Sequence, residues 1–192
     1  PEKEAAAEPE KEEAEPEAVR DKLLENGRQI QDMVTQSIEL ASSLNTTEKQ
    51  ALMDIAAFVE SVTDDYADEG RRVTLADSTP LSFTVRTRPT CLRRCLSNLI
   101  ENALKYAGSA EVALSRDEHG PCIEVRDSGP GIPPEQRARV FERFYRVDKS
   151  HSKETGGTGL GLSIVKHAVA YHGGKVTLDS KVGKGTTITV VF

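Results

Sequence analysis

The stretch GGTGLGLSIVK, residues 156–166, places four glycines in six positions directly before apolar residues with helical spacing. Glycine in a loop costs conformational entropy, so this cluster indicates that something approaches the backbone closely. A glycine loop that opens onto a helix N-terminus can bind an anion, because free N–H groups and the positive end of the helix dipole meet there. The stretch therefore predicts a phosphate site, although a glycine-rich loop alone is a weak motif.

Length, charge and cysteine content limit the class of protein. A chain of 192 residues accommodates one buried domain of about 150 residues and an appendage. Residues 1–17 carry eight Glu and two Lys, whereas residues 18–192 carry 23 acidic and 23 basic side chains. Because the main part is neutral, its charge favours neither a nucleic-acid partner nor contact with an anionic membrane. No apolar run approaches the ~18 residues of a membrane span, and three cysteines without a CxxC pair favour buried thiols in the cytoplasm.

Three parts follow one another along the sequence. Residues 1–17 are of low complexity and predict an acidic head or tail. Residues 18–45 predict one long helix with a heptad-like apolar stripe, which favours a helix pair or a homodimer over packing on its own domain. The stripe consists of Leu23, Ile30, Val34, Ala41 and Leu44. The stretch SLNTTEKQ breaks the pattern and marks a domain over residues 46–192, with Thr46 or Thr47 placed to cap a helix over about 48–69.

The domain mixes strand-like and helix-like runs without strict alternation. Strand patterns are RRVTLA, LSFTVR, AEVALSR, CIEVRD, KVTLDS and TTITVVF, and helix patterns are TCLRRCLSNLIENALKYA after Pro89 and LSIVKHAVAYH. A short amphipathic piece, RARVFERFYR, lies between them. The order predicts an α/β sandwich, in which a mixed sheet is covered by helices on one face.

Five motifs, in order and spacing, resemble the N, G1, F, G2 and G3 boxes of the catalytic ATP-binding domain of sensor histidine kinases: LSNLIENALKY, DSGPGIP, VFERFYR, GGTGLGL and GKGTTITVVF. The resemblance covers residues from about 46 to 192 and implies the Bergerat fold of the GHKL group. It also implies ATP and Mg²⁺ as ligands and transfer of the γ-phosphoryl group to a histidine. Residues 18–45 resemble, more loosely, the second helix of that family's dimerisation and phosphoacceptor domain. The implied partners are an acceptor-histidine helix domain and, through it, a response regulator. The resemblance also implies that this fragment lies in the cytoplasm and that its full-length parent is anchored in the inner membrane.

The N-box residues share one helix face. Asn98, Asn102 and Lys105 lie at i, i+4 and i+7, so their side chains point the same way. Mg²⁺ prefers oxygen ligands, which makes the amide oxygen of Asn102 the candidate metal ligand and Lys105 a partner for phosphate. By similarity to the family, Asn98 contacts phosphate or the metal's waters and Tyr106 lies against the base.

The base and the phosphates are assigned to two glycine loops. Asp127 ends a strand pattern, where its carboxylate can accept a hydrogen bond from the amine of adenine, which guanine lacks. Gly129 and Gly131 let the backbone fold over the base, and Ile132 supplies an apolar contact. The phosphates are expected against residues of the second loop, and the G3 box adds Thr187 as a binding candidate. The second-loop residues are Gly157, Thr158, Gly159, Leu160, Gly161 and Leu162.

The segment from Phe141 to Thr158 predicts a lid, with Phe141 and Phe144 docking on the domain. In the family, a basic residue of this region approaches the γ-phosphate. Arg143, Arg146 and Lys149 all qualify, and the sequence does not choose among them.

Asn98 also bears on the reaction. In ATPases of related fold, Glu stands four residues before the metal-binding Asn and acts as a general base. An amide cannot do this, whereas an imidazole acceptor is already nucleophilic, so Asn98 favours a histidine kinase over an ATPase. Glu101, next to Asn102, could take an acid–base part or lie on the surface.

The acceptor itself is not found in the sequence. In the family the acceptor histidine is followed by Glu or Asp, whereas His119, His151, His167 and His172 are followed by Gly, Ser, Ala and Gly. We therefore expect the chain to bind ATP without phosphorylating itself and to act on a separately supplied acceptor helix. The alternative is a non-catalytic ATP-binding or dimerisation module. A fusion of two kinase catalytic domains stays open, because 14 Arg and 5 Lys stand up to Arg146 and 6 Lys and no Arg after it.

Overall fold

A computed structural model describes residues 19–28, 30–31, 34–35, 37–38, 48–76, 82, 84–118, 120–147 and 158–192. Among the predictions above, those for the acidic head and for Ala41, Leu44, Lys149 and Gly157 lie outside these residues. The helices are α1 (Ile55–Asp68), α2 (Pro89–Ala107) and α3 (Gly161–Tyr171). The strands are β1 (Ala51–Asp54), β2 (Val73–Leu75), β3 (Thr84–Thr87), β4 (Ala110–Asp117), β5 (Gly120–Asp127), β6 (Lys175–Lys181) and β7 (Gly185–Val191).

The centre of the fold is a five-stranded sheet with the order β2-β4-β5-β7-β6. Strand β2 runs parallel to β4, and the other neighbours are antiparallel. One face of this sheet contributes Val112, Ile123, Val125 and Ile188 to a core that also holds the buried faces of α1, α2 and α3. The predicted mixed sheet covered by helices on one face is therefore confirmed.

The opposite face of the sheet carries polar side chains. Glu111, Arg126, Thr187 and Asp179 are register neighbours across β4, β5, β7 and β6, and we call them the outer row. The guanidinium of Arg126 donates to Glu111 at 2.9 Å and to Glu124 at 2.6 Å. Exposed ion pairs of this kind contribute little stability, so the sheet is held by its apolar face.

Helix α2 has the ends that its sequence predicts. Pro89 occupies the first turn, where its missing N–H is not needed. Gly108 ends the helix in the left-handed conformation with φ 70°, which costs glycine little. Between them, seven apolar side chains are buried on one face: Cys91, Leu92, Cys95, Leu96, Leu99, Ile100 and Ala103.

The helix predicted from about residue 48 is wrong at its start. Residues Ala51–Asp54 instead form β1, which pairs antiparallel with β3 in a separate two-stranded sheet. Helix α1 begins at Ile55, and the carboxylate of Asp54 caps it by accepting from Ala56 N at 2.9 Å and Ala57 N at 3.3 Å. The predicted caps Thr46 and Thr47 lie outside the described residues.

The N-terminal helix is seen only in part. Residues 19–28, 30–31, 34–35 and 37–38 are helical. Leu23, Ile30 and Val34 of the predicted stripe are exposed by 66%, 62% and 52%, so they do not pack on the domain. Within the described ranges, no helix combines the length and apolar character needed to cross a bilayer. The three cysteines are buried and free, as expected.

Candidate functional site

The candidate site begins on one face of α2. Asn98, Asn102 and Lys105 all lie on this helix, as the spacing predicts. The amide Nδ2 of Asn98 donates to the carbonyl of Arg94 at 2.8 Å, which fixes the side chain. The Nδ2 of Asn102 is buried and finds no acceptor among the described residues. A buried donor without an acceptor costs free energy, so this face of α2 is suited to a ligand that carries acceptor oxygens.

The start of α3 lies directly against these amides. A Cβ atom placed on Gly161 would be 3.0 Å from Oδ1 of Asn98, which would have to shift by a few tenths of an ångström, and at an ordinary contact distance of 3.5 Å from Nδ2 of Asn102. Leu160 provides no side-chain cap to α3, and its own side chain is fully buried. The N-cap residue of α3 thus offers no acceptor of its own, and the positive end of the helix dipole favours an anion at this point.

The loop before α3 is held in a conformation that requires glycine. Gly159 has φ +74°, and its carbonyl accepts from the N–H of Phe144 at 3.0 Å. Thr158, directly before it, and Leu162, in the first turn of α3, are half-buried. The loop thus brings the end of the predicted lid to the two amides of α2.

Two cations lie near each other at the last turn of α2. Burial lowers the pKa of Lys105, and the positive charge of Arg146 lowers it further. The Nζ of Lys105 lies 5.2 Å from the ring centroid of Tyr106, whose own pKa is raised by burial. Arg143, by contrast, is exposed. Since two nearby cations repel each other, this corner favours a polyanion, and of the predicted basic lid residues it is Arg146 that lies here.

Asp127 stands at the end of β5. Its Oδ1 accepts from the N–H of Gly129 at 2.8 Å, and this bond and the nearby backbone N–H of Thr186 both lower its pKa. Burial outweighs these bonds and raises the pKa of Asp127. A half-buried carboxylate with one oxygen committed to Gly129 keeps the other for a donor such as an exocyclic amine.

Thr187 does not face Asp127. In the register of β5 and β7, Asp127 pairs with Thr186, and Thr187 pairs with Arg126 in the outer row. Side chains of consecutive strand residues point to opposite faces, so the structure places Thr186 at the site and Thr187 on the far face. The parity of the buried Ile188 and Val190 in the sequence would have identified Thr186.

The loop after Asp127 is fixed against β6. Gly131 has φ +72°, and a Cβ atom there would lie 2.2 Å from the carbonyl oxygen of Lys181. The N–H of Ile132 donates to Ser180 Oγ at 2.8 Å. At Gly129 a Cβ atom would lie 3.1 Å from the carbonyl oxygen of Tyr106, so the loop packs closely on the end of α2. The sequence offered no sign of the part that Ser180 plays.

The structure also bears on Phe144 and Glu101. Residues 137–144 form turns, and Phe144 is 61% exposed with φ 62°, so the expectation that its side chain docks on the domain is wrong. Glu101 forms a bidentate ion pair with Arg71, at 2.6 and 2.8 Å. Of the two alternatives for Glu101, the structure therefore favours a surface contact over an acid–base part.

Over residues 87–192 the chain matches the family described as histidine kinase-, DNA gyrase B-, and HSP90-like ATPase. The sensor-like histidine kinase SenX3 of Mycolicibacterium smegmatis is 36% identical over 187 aligned residues, which cover 91% of this chain and 48% of that protein. The crystal structure of full-length ShkA in complex with AMPPNP matches with a TM-score of 0.70 and 27% identity, covering 98% of this chain and 39% of ShkA. The mycobacterial sensor histidine kinase MprB matches with a TM-score of 0.60 and 29% identity, over 74% of this chain and 96% of that one. The chain thus spans about half the length of SenX3.

Proposed function

The chain belongs to the family of histidine kinase-, DNA gyrase B- and HSP90-like ATPases, and from this we propose that it is the ATP-binding catalytic part of a sensor histidine kinase. Its reaction is transfer of the γ-phosphoryl group of ATP to a neutral imidazole nitrogen, with ADP as the leaving group. The acceptor histidine is supplied by a dimerisation helix domain, which passes the phosphoryl group to a response regulator.

One observation carries the proposal: the buried Nδ2 of Asn102 has no acceptor among the described residues, at the point where α2 meets the start of α3. A triphosphate supplies such acceptors and the negative charge that Lys105 and Arg146 favour. Across the site, Asp127 is suited to the exocyclic amine of adenine. The described residues therefore fit Mg-ATP by their chemistry.

In this arrangement the protein mainly positions the nucleotide. Asn98 and Asn102 orient the phosphates, with the amide oxygen of Asn102 as the candidate ligand of Mg²⁺. The metal would neutralise charge on the phosphate oxygens. Lys105 and Arg146 offset the remaining charge, and the positive end of the α3 dipole helps to hold the anion in place. The half-exposed Tyr106 and Ile132 flank the space where the base would lie.

Titration calorimetry with AMPPNP, with and without Mg²⁺, tests binding. The unmodified chain should bind saturably, with Mg²⁺ strengthening the affinity, and Asp127→Ala should abolish binding at the same concentrations. Absence of binding by the unmodified chain would refute the proposal. Incubation with Mg-ATP and a purified acceptor-histidine helix domain then tests transfer: binding without phosphorylation of any acceptor would favour the non-catalytic module.

A pair of arginine variants tests the lid assignment. Arg146→Ala should lower the rate of transfer about 10–100-fold, because it removes one charge-assisted contact to phosphate. Arg143→Ala, three positions earlier and exposed, should change the rate less than threefold. Equal effects of the two changes would contradict the choice of Arg146.

A further inference from the structure

Helix α2 is capped by a residue from outside its own sequence neighbourhood. Arg88, the N-cap residue, makes no side-chain cap. The two carboxylate oxygens of Glu48 do so instead, accepting from Thr90 N at 2.7 Å and Cys91 N at 3.1 Å. These N–H groups are the orphan donors that a capping side chain normally satisfies. In the sequence, Glu48 stands three residues after the end of the predicted N-terminal helix over 18–45.

The same point is tied to the end of α3. The guanidinium of Arg88 donates to the carbonyl of Glu48 at 3.2 Å and lies 4.0 Å from the ring centroid of Tyr171. The N–H of Arg88 donates to Nε2 of His172 at 3.2 Å, which leaves Nδ1 of His172 to donate to the carbonyl of Ala168 at 2.8 Å. We call Glu48, Arg88, Tyr171 and His172 the junction.

The two helices that meet at the junction are the ones that carry the phosphate side of the candidate site. Helix α2 bears Asn98 and Asn102 further along, and α3 begins with Gly161 against them. The junction joins the first turn of α2 to the last turn of α3, so it holds the opposite end of the same helix pair. Helix α1 carries none of the proposed nucleotide contacts.

We propose that Glu48 is a positioning residue, which couples the segment preceding the domain to the affinity of the nucleotide site by fixing the start of α2 against the end of α3. This inference rests on the proposed function. When the Glu48 side chain moves away from α2, the N–H groups of Thr90 and Cys91 lose their hydrogen-bond acceptors, and the junction loses its link to the preceding segment. The helix pair then samples more arrangements, and the nucleotide must restore one of them, which weakens binding. By reciprocity, nucleotide binding holds Glu48 more firmly in place.

Matched removal of two capping carboxylates separates this coupling from simple loss of stability. Glu48→Ala uncaps α2 and Asp54→Ala uncaps α1, and both should lower the melting temperature of the full chain by a few degrees. In calorimetry with AMPPNP and Mg²⁺, Glu48→Ala should weaken binding about three- to tenfold. Asp54→Ala should change affinity less than twofold, and Glu48→Gln, which keeps one acceptor oxygen, should lie between Glu48→Ala and the unmodified chain.

Hydrogen exchange gives the reciprocal readout. AMPPNP should slow exchange of the amides of Thr90 and Cys91 in the unmodified chain and slow it less in Glu48→Ala. If Glu48→Ala melts lower but binds AMPPNP like the unmodified chain, the inference fails while the proposed function stands. Equal weakening by Asp54→Ala would also overturn it. If the unmodified chain binds no AMPPNP, the proposed function fails and the inference fails with it.

Discussion

At the scale of the residue, Asp127 combines a cost in stability with a proposed gain in binding. Burial raises its pKa, so the folded chain holds the proton more tightly than the unfolded chain does. The contribution of Asp127 to stability therefore decreases as the pH rises, and at neutral pH the ionised carboxylate is a net burden. A carboxylate in such surroundings is suited to a ligand rather than to the fold.

Replacing Asp127 with Asn should separate these two effects. With Oδ1 still held by the N–H of Gly129, the new Nδ2 group would face the amine of adenine, donor against donor. We expect AMPPNP to bind about 10–100-fold more weakly and the melting temperature at pH 7 to stay the same or rise. Calorimetry and thermal denaturation measure the two quantities, and a chain that loses stability while keeping its affinity would contradict this account of Asp127. In the unmodified chain, affinity should also fall on acidification, beginning above the ordinary pKa range of aspartate.

Two glycines with the same backbone conformation distinguish steric contact from backbone strain. Gly131 and Gly183 have φ +72° and +74°, but only at Gly131 would a Cβ atom meet another atom, the carbonyl oxygen of Lys181 at 2.2 Å. Gly183→Ala should lower the free energy of unfolding by about 1 kcal/mol, the cost of the left-handed conformation. Gly131→Ala adds a displacement of β6 or of the loop and should cost at least about 2 kcal/mol more. Urea denaturation measures both changes, and equal losses would show that the loop moves away without cost.

At the scale of the element, sequence patterns predicted most helices and strands because their ends carry local signals. Pro89 and Gly108 define α2 by their own backbone preferences, and the hairpin of β4 and β5 follows from alternation. The sequence predicts helix for Ala51–Asp54 because the strand that pairs with these residues, Thr84–Thr87, lies some thirty residues away in the sequence. Pairing between distant residues produces no local sequence pattern. For the same reason the sequence did not predict that Glu48 caps α2.

The candidate site shows the same division. The spacing of Asn98, Asn102 and Lys105 placed them on one face, since helical periodicity is local. The choice between Arg143 and Arg146, and between Thr186 and Thr187, needed the path of a turn segment and the register of two strands. Both are tertiary properties, so the sequence supplied the residue types and the structure supplied the partners.

The exposed stripe of the N-terminal helical segment leads to a prediction about assembly. Leu23 and Ile30 are exposed by 66% and 62%, which is unfavourable unless another helix covers them. If residues 18–45 form a homodimer surface, the unmodified chain should sediment as a dimer at micromolar concentration. Leu23→Glu combined with Ile30→Glu should produce a monomer, while Gln31→Glu in the same segment should not. A mass in ultracentrifugation that is the same for all three chains would contradict the prediction.

At the scale of the whole molecule, bound nucleotide should stabilise the folded chain against unfolding. The proposed contacts come from α2, from α3 and from the sheet, so only the folded chain can offer them together. At a hundredfold excess over its dissociation constant, a ligand of the native state stabilises by about 2.7 kcal/mol. For a chain of this size that corresponds to a rise of roughly 5–10 °C in melting temperature. Thermal denaturation with AMPPNP and Mg²⁺ should show this rise for the unmodified chain and none for Asp127→Ala, and an unchanged transition in both would contradict it.

The outer row has a consequence for how the sheet assembles. If β5 slipped by one residue against its neighbours, Arg126 would enter the apolar core and Val125 would move to the solvent side. The Coulomb attraction between Arg126 and its two glutamates is small in water, but burying that guanidinium alone would be very costly. The charged face therefore selects the strand register during folding. It adds little stability to the native register, but it makes the register shifted by one residue too costly to form.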